Sequence, residues 1–318
     1  MISPDGLKTV ALRPRGILNE VDSNNVGFAG SGTVLLVNES GNLSAWSLAT
    51  SELLFRVKER FSRVLGDADR IYAQGDGGLL TIYDIGTGEV VGKVDLGKNI
   101  QSLATGMSSR SPLLAVEQEG VDAFLLQIPR DTLKPIIMDL APETRRRFFI
   151  PQMVANASGS AVWSREAAIF RDSRAITVKT FSYEVLNGMS DGIPDASGQI
   201  IVGRSSILHL GSDPPKSVKI SSLPGAGEST TCKLDQSGRY LMLSGPTEDS
   251  QMQTLSLREV REPSKELLKI RFPSLGGGQM PWIISGTNTL VQFLTIGDRQ
   301  KAAIFDFDVP EITKQLAH

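Results

Sequence analysis

The chain has 318 residues, of which 40% are hydrophobic and 21% charged, an ordinary globular balance with ample material for a core. A formal net charge of −2 excludes a global field drawing it to nucleic acid or an anionic membrane. One cysteine, Cys232, excludes an intrachain disulfide, and two histidines, His209 and His318, leave a His-based triad or a multi-histidine metal site without partners.

In chain order, the opening Met1-Ile2-Ser3-Pro4-Asp5-Gly6 has no basic start followed by an apolar run, so no signal peptide is visible. No stretch reaches the ~18 consecutive apolar residues of a membrane-spanning helix. The expected compartment is the cytoplasm, or the periplasm or exterior if the chain is a domain of a longer protein. Residues 7–13, LKTVALR, form a candidate strand. Next comes a repeat: AWSLATSELLFRV at 45–57 matches IYDIGTGEVVGKV at 82–94 without a gap. Each copy is an alternating strand, a Thr-Ser or Thr-Gly turn and a second alternating strand, which is a hairpin.

The residue after the aromatic in each copy serves as a marker: Ser47 and Asp84. Weaker copies place it at Gln127, Arg171, His209, Glu259 and Asp306, in steps of 37, 43, 44, 38, 50 and 47 residues. A second signal lies upstream of several markers. Ala157-Ser158-Gly159, Ala196-Ser197-Gly198 and Gln236-Ser237-Gly238 are turns, with Ser31-Gly32 and Ser285-Gly286 as looser versions. Each precedes an apolar strand: 33–37, 160–164, 199–203, 239–244 and 288–294. One unit thus reads as inner strand, Ser-Gly turn, second strand, loop, marker strand, turn, outer strand.

Four antiparallel strands repeated about every 43 residues predict an all-β fold, a seven-bladed β-propeller in a single domain. The blades are expected near 20–57, 58–98, 99–139, 148–182, 190–222, 229–272 and 280–312. Residues 7–13 close the last blade beside 302–308, or else the C-terminal EITKQLAH supplies its outermost strand. The segment IYDIGTGEVVGKV resembles the outer hairpin of WD40-like and YVTN-like propeller repeats, with Tyr83-Asp84 standing where the WD signature has Trp-Asp. Phe305-Asp306 is a second match. No Gly-His dipeptide occurs, so the His–Asp network of well-formed WD40 blades is not expected. Stability should then rest mainly on apolar packing between blades.

The chemistry-bearing residues are sparse. Cys232 sits in a strand with no histidine nearby and reads as a buried structural thiol. His209, at a marker position, reads as structural. Asp67-Ala68-Asp69, Asp306-Phe307-Asp308 and Glu248-Asp249 lack calcium-loop spacing. The stretches at 225–227 and 276–278 are inter-blade glycines without the strand–loop–helix context of a phosphate cradle. Asn38, Asn42 and Asn156 head Asn-x-Ser sequons but read as turn residues. No cofactor is expected.

The remaining candidate is Arg145-Arg146-Arg147-Phe148-Phe149, in the longest gap between blades. Its guanidinium groups suit an acidic or phosphorylated partner. An acidic loop carrying Glu248 and Asp249 should project from the same face. The expected function is a non-catalytic scaffold binding a protein or peptide partner through loops on that face. Two alternatives stay open: a channel-mouth enzyme or small-ligand binder of the lactonase-like type, and an accessory module of a larger bacterial receptor or secreted protein.

Overall fold

The computed structural model describes residues 12–19, 26–39, 41–97, 100–119, 122–138, 153–164, 167–171, 176–180, 189, 192–235, 237–246, 252–273, 282–284, 289–296 and 299–307. These residues form strands joined by turns and short 3-10 segments, with no α-helix among them. The strands gather into four-stranded antiparallel sheets, and the described residues contain seven of these. The first sheet is β2 (Val26–Ala29), β3 (Val34–Glu39), β4 (Asn42–Ser47) and β5 (Leu53–Val57). The second runs β6 (Arg63–Gly66), β7 (Arg70–Gln74), β8 (Leu79–Asp84) and β9 (Val90–Asp95). The third runs β10 (Ile100–Ala104), β11 (Leu113–Glu119), β12 (Asp122–Ile128) and β13 (Ile136–Met138).

The fourth sheet is β14 (Met153–Ala155), β15 (Ala161–Ser164), β16 (Ala167–Arg171) and β17 (Ile176–Thr180). The fifth is β18 (Ile193–Pro194), β19 (Ile200–Val202), β20 (Ser206–His209) and β21 (Lys216–Lys219), and the sixth is β22 (Thr231–Leu234), β23 (Tyr240–Pro246), β24 (Met252–Glu259) and β25 (Glu266–Pro273). The last combines β26 (Trp282–Ile284), β27 (Thr289–Ile296) and β28 (Arg299–Phe307) with β1 (Leu12–Asn19) from the start of the chain. In all seven sheets the marker residue falls at or next to the end of the third strand; in the first six the chain turns there to the fourth.

The closing strand is β1, Leu12–Asn19, which pairs with β28 from Leu12↔Phe307 to Asn19↔Lys301. The sequence expectation placed it at 7–13. Residues 7–11 and the alternative C-terminal strand lie outside the described residues. The described strand runs on past residue 13, although Pro14 and Gly16 interrupt the alternation there. The strand absorbs them as a bulge between Pro14 and Gly16, and an outermost strand tolerates proline because its outward N–H has no partner to lose.

Side-chain period sets the packing between sheets. On β3, Val34 and Leu36 pack toward the second sheet, while Leu35 and Val37 pack toward the last one. On β23, Leu241 and Leu243 face the fifth sheet, and Tyr240 and Met242 face β27. Both faces of these strands are buried, so they read as continuous apolar runs rather than alternating ones. Buried clusters join every consecutive pair of sheets. One more, containing Leu18, Leu35, Val291 and Ile304, joins the last sheet to the first. Each fully buried Leu or Ile contributes roughly 1.5–3 kcal/mol of transfer free energy. The result is a β-propeller of four-stranded antiparallel blades.

Candidate functional site

The two faces of the disc differ, and the difference begins in the turns. In the fourth, fifth and sixth sheets the turn after the first strand is short and locked by its own side chains. Asp195 Oδ1 accepts the Ile200 N–H at 2.9 Å, and Ser197 donates to both carboxylate oxygens. Asp235 repeats the arrangement with Tyr240 and Ser237, and Asn156 with Ala161. Gly159, Gly198 and Gly238 take φ near +70°, and a Cβ on Gly238 would lie 2.8 Å from the Ala196 nitrogen, so glycine is required there. These turns also bond to one another: Ala196 N–H donates to Gly238 O, and Asn156 Nδ2 donates to Ala196 O at 3.0 Å. Asn156, with 1% exposure, is a turn residue rather than an accessible sequon.

The marker residues have a related task. Asp84 accepts N–H bonds from Gly86 and Thr87 and the Thr87 hydroxyl, which hold its carboxyl below the usual range. Ser47 accepts the Thr50 N–H at 3.2 Å in the matching turn. Serine and aspartate interchange because both cap a turn. Asp306 instead takes Arg15 from the closing strand, whose guanidinium also reaches the Leu48 carbonyl at 2.5 Å.

Two further arginine networks gave no sequence signal, since their partners lie far apart or carry no motif. Asp67 is 0% exposed and accepts from Tyr72 at 2.7 Å, from the Asp69 and Arg70 N–H groups and from Arg130 of the third sheet. Burial, the largest influence, pushes its carboxyl up, and those donors draw it partly back. Arg258, 2% exposed, donates to Ser256, to the Pro263 and Pro224 carbonyls and to Glu266, tying the loop before β22 to its sheet. Cys232 is buried with its thiol 2.7 Å from the Gly203 carbonyl, and burial pushes its pKa up to about 12, which fits a structural thiol.

Arg145, Arg146, Arg147, Phe148, Glu248 and Asp249 lie outside the described residues. Their flanking strand ends are described. The 139–152 connection leaves β13 at Met138 and enters β14 at Met153, and the acidic loop leaves β23 at Pro246 and enters β24 at Met252. Antiparallel order puts all four ends on one face, opposite the locked turns. The first strands β2, β6, β10 and β14 line the central channel. A cavity of about 450 Å³ opens among them, lined by Asn38, Ser62, Arg63, Ser102 and Thr105 with apolar neighbours. A second, of about 300 Å³, adjoins the turn face beside Asn156 and Asp235, whose side chains are already engaged by the turns. Among the described residues no group of three or more His, Cys, Asp or Glu is placed to hold a metal ion.

The arrangement matches known structures in fold. The β-propeller domain of Cps50 (Swd1) from Myceliophteria thermophila aligns at a TM-score of 0.58 and 11% identity, over 93% of this chain and 99% of that one. The likeness is one of fold, the β-propeller. A eukaryotic initiation factor aligns at a TM-score of 0.48 and 14% identity, over 88% of this propeller and 73% of that chain. No family model matches the sequence, and no curated protein matches it. No helix among the described residues is long and apolar enough to cross a membrane.

Proposed function

We propose that the chain is a non-catalytic scaffold: one closed, seven-bladed ring that holds a protein or peptide partner on the face carrying its long connections. The observation that supports this is the asymmetry of the two faces. One carries the turns of Asn156, Asp195 and Asp235, whose polar groups are spent on their own backbone and on one another. The other gathers the strand ends flanking the longest connection, 139–152, and the acidic loop between β23 and β24, around an open channel mouth. Loops on a rigid frame can be shaped for recognition without cost to the core. In this reading Arg145, Arg146, Arg147 and Phe148 supply cationic and aromatic anchors, and Glu248 and Asp249 supply the acidic counterpart.

The test is affinity capture with the wild-type protein, an Arg145/Arg146/Arg147→Ala variant and a Glu248→Gln/Asp249→Asn variant. Specific partners should be lost or weakened at least tenfold, a difference of about 1.4 kcal/mol. An identical set of partners at equal occupancy in all three proteins would overturn the assignment of these residues.

A further inference from the structure

Arg63 is the first residue of β6 and lines the channel cavity on the long-connection face. The three arginine networks described above end on carboxylates: Arg15 on Asp306, Arg130 on Asp67 and Asp69, Arg258 on Glu266. Arg63 does not. Its Nη1 donates to Gln74 Oε1 and to the Ile100 carbonyl, both neutral and both at 3.3 Å. No acidic residue is among the described residues lining the cavity, and Arg63 is the one charged residue there. Burial lowers its pKa, so the guanidinium bears a desolvation cost that these two long bonds offset only weakly.

The neighbours favour an anion as well. The Ser102 hydroxyl accepts the Met153 N–H at 2.7 Å, which leaves its own O–H to donate. Asn38 Nδ2 and the Ser62 hydroxyl are committed to the Phe61 and Gln74 carbonyls, which fixes the walls around the guanidinium. At about 450 Å³ the cavity exceeds what one oxyanion needs, so the group can arrive alone or at the tip of a longer molecule.

We propose that the channel mouth is an oxyanion site, in which the Arg63 guanidinium receives a carboxylate or phosphate group. A guanidinium suits this ligand because its parallel N–H bonds match two oxygens of the anion. The inference deepens the scaffold reading by naming the chemistry its channel takes, and it rests on that reading only for a partner being the source of the anion. A free phosphate or small carboxylate is the other source.

The experiment titrates the purified full chain at low salt with inorganic phosphate and, separately, with a capped hexaglutamate peptide. Wild type should bind at least one probe, Arg63→Gln should bind it at least tenfold more weakly, and Arg63→Lys should fall between. Tighter phosphate binding assigns the site to a free anion, and tighter peptide binding assigns it to an acidic segment of a partner. Thermal melts check that the variants fold. If Arg63→Gln does not, the Arg63 Nε resonance of the wild type should still shift saturably with the bound probe. Equal affinity of wild type and Arg63→Gln, no binding of either probe by wild type, or an unmoved Arg63 resonance would overturn the proposal. All of these are read without a partner, so failure here is separate from failure of the capture experiment.

Discussion

Arg130 donates to the buried carboxylate of Asp67 across the boundary between the third and second sheets. The same oxygen accepts the Tyr72 hydroxyl, and Arg70 donates back to the Arg130 carbonyl at 2.9 Å. Removing the cation leaves an uncompensated charge in the interior, so Arg130→Ala should cost about 3 kcal/mol. Tyr72→Phe deletes one donor and should cost about 1–2 kcal/mol. Urea unfolding of the two variants checks both values. A loss below about 0.5 kcal/mol for Arg130→Ala would show that solvent replaces the pair.

Ring closure depends on β1. Leu18 is 0% exposed and packs with Val291 and Ala302 of its own sheet and Leu35 of the first. Leu18→Ala should destabilise by about 3 kcal/mol through lost burial and a cavity. Arg15→Ala should cost less, about 1 kcal/mol, since Asp306 is 42% exposed and water can solvate it in place of the cation. Thermal denaturation ranks the two, and limited proteolysis should cut Leu18→Ala first at the joined ends. Equal stability of Leu18→Ala and wild type would mean that the closing strand does not hold the ring.

Cys232 gives a pH dependence of known sign. Its folded pKa, about 12, lies above the ordinary thiol value of 9.0. The folded state therefore keeps its proton where the unfolded chain releases it. This contribution is complete below about pH 9 and is lost as pH rises toward 12. Wild type should lose about 1.4 kcal/mol per pH unit more than Cys232→Ala over that window. Urea titrations at pH 8.5 and 10.5 compare the two slopes. Parallel slopes would show that the thiol is not protected.

Strand content and repeat length were legible in the residues because each strand carries its own pattern. Every marker sits at or beside the end of a third strand, and the turns around Gly159, Gly198 and Gly238 adopt the positive φ their glycines suggested. Departures from the WD signature have a physical account in the first two blades, where Ser47 and Asp84 cap equivalent turns and neither needs a histidine. The networks of Asp67, Arg130 and Arg258 were not legible, since nothing in Asp67-Ala68-Asp69 announces an arginine sixty residues away. The arginine cluster at 145–147 drew attention by density alone, whereas Arg63, a single residue with no motif around it, did not.

By itself the sequence determined the local alphabet of this protein: which segments alternate, where glycine must bend the chain, and how often the unit recurs. These are short-range consequences of side-chain period and backbone sterics. Only the tertiary structure decided that β1 joins β28, that one face is locked while the other gathers the long connections, and that Arg63 stands without a carboxylate in the channel. Those outcomes depend on contacts between residues distant in sequence, which burial and desolvation select when the sheets come together.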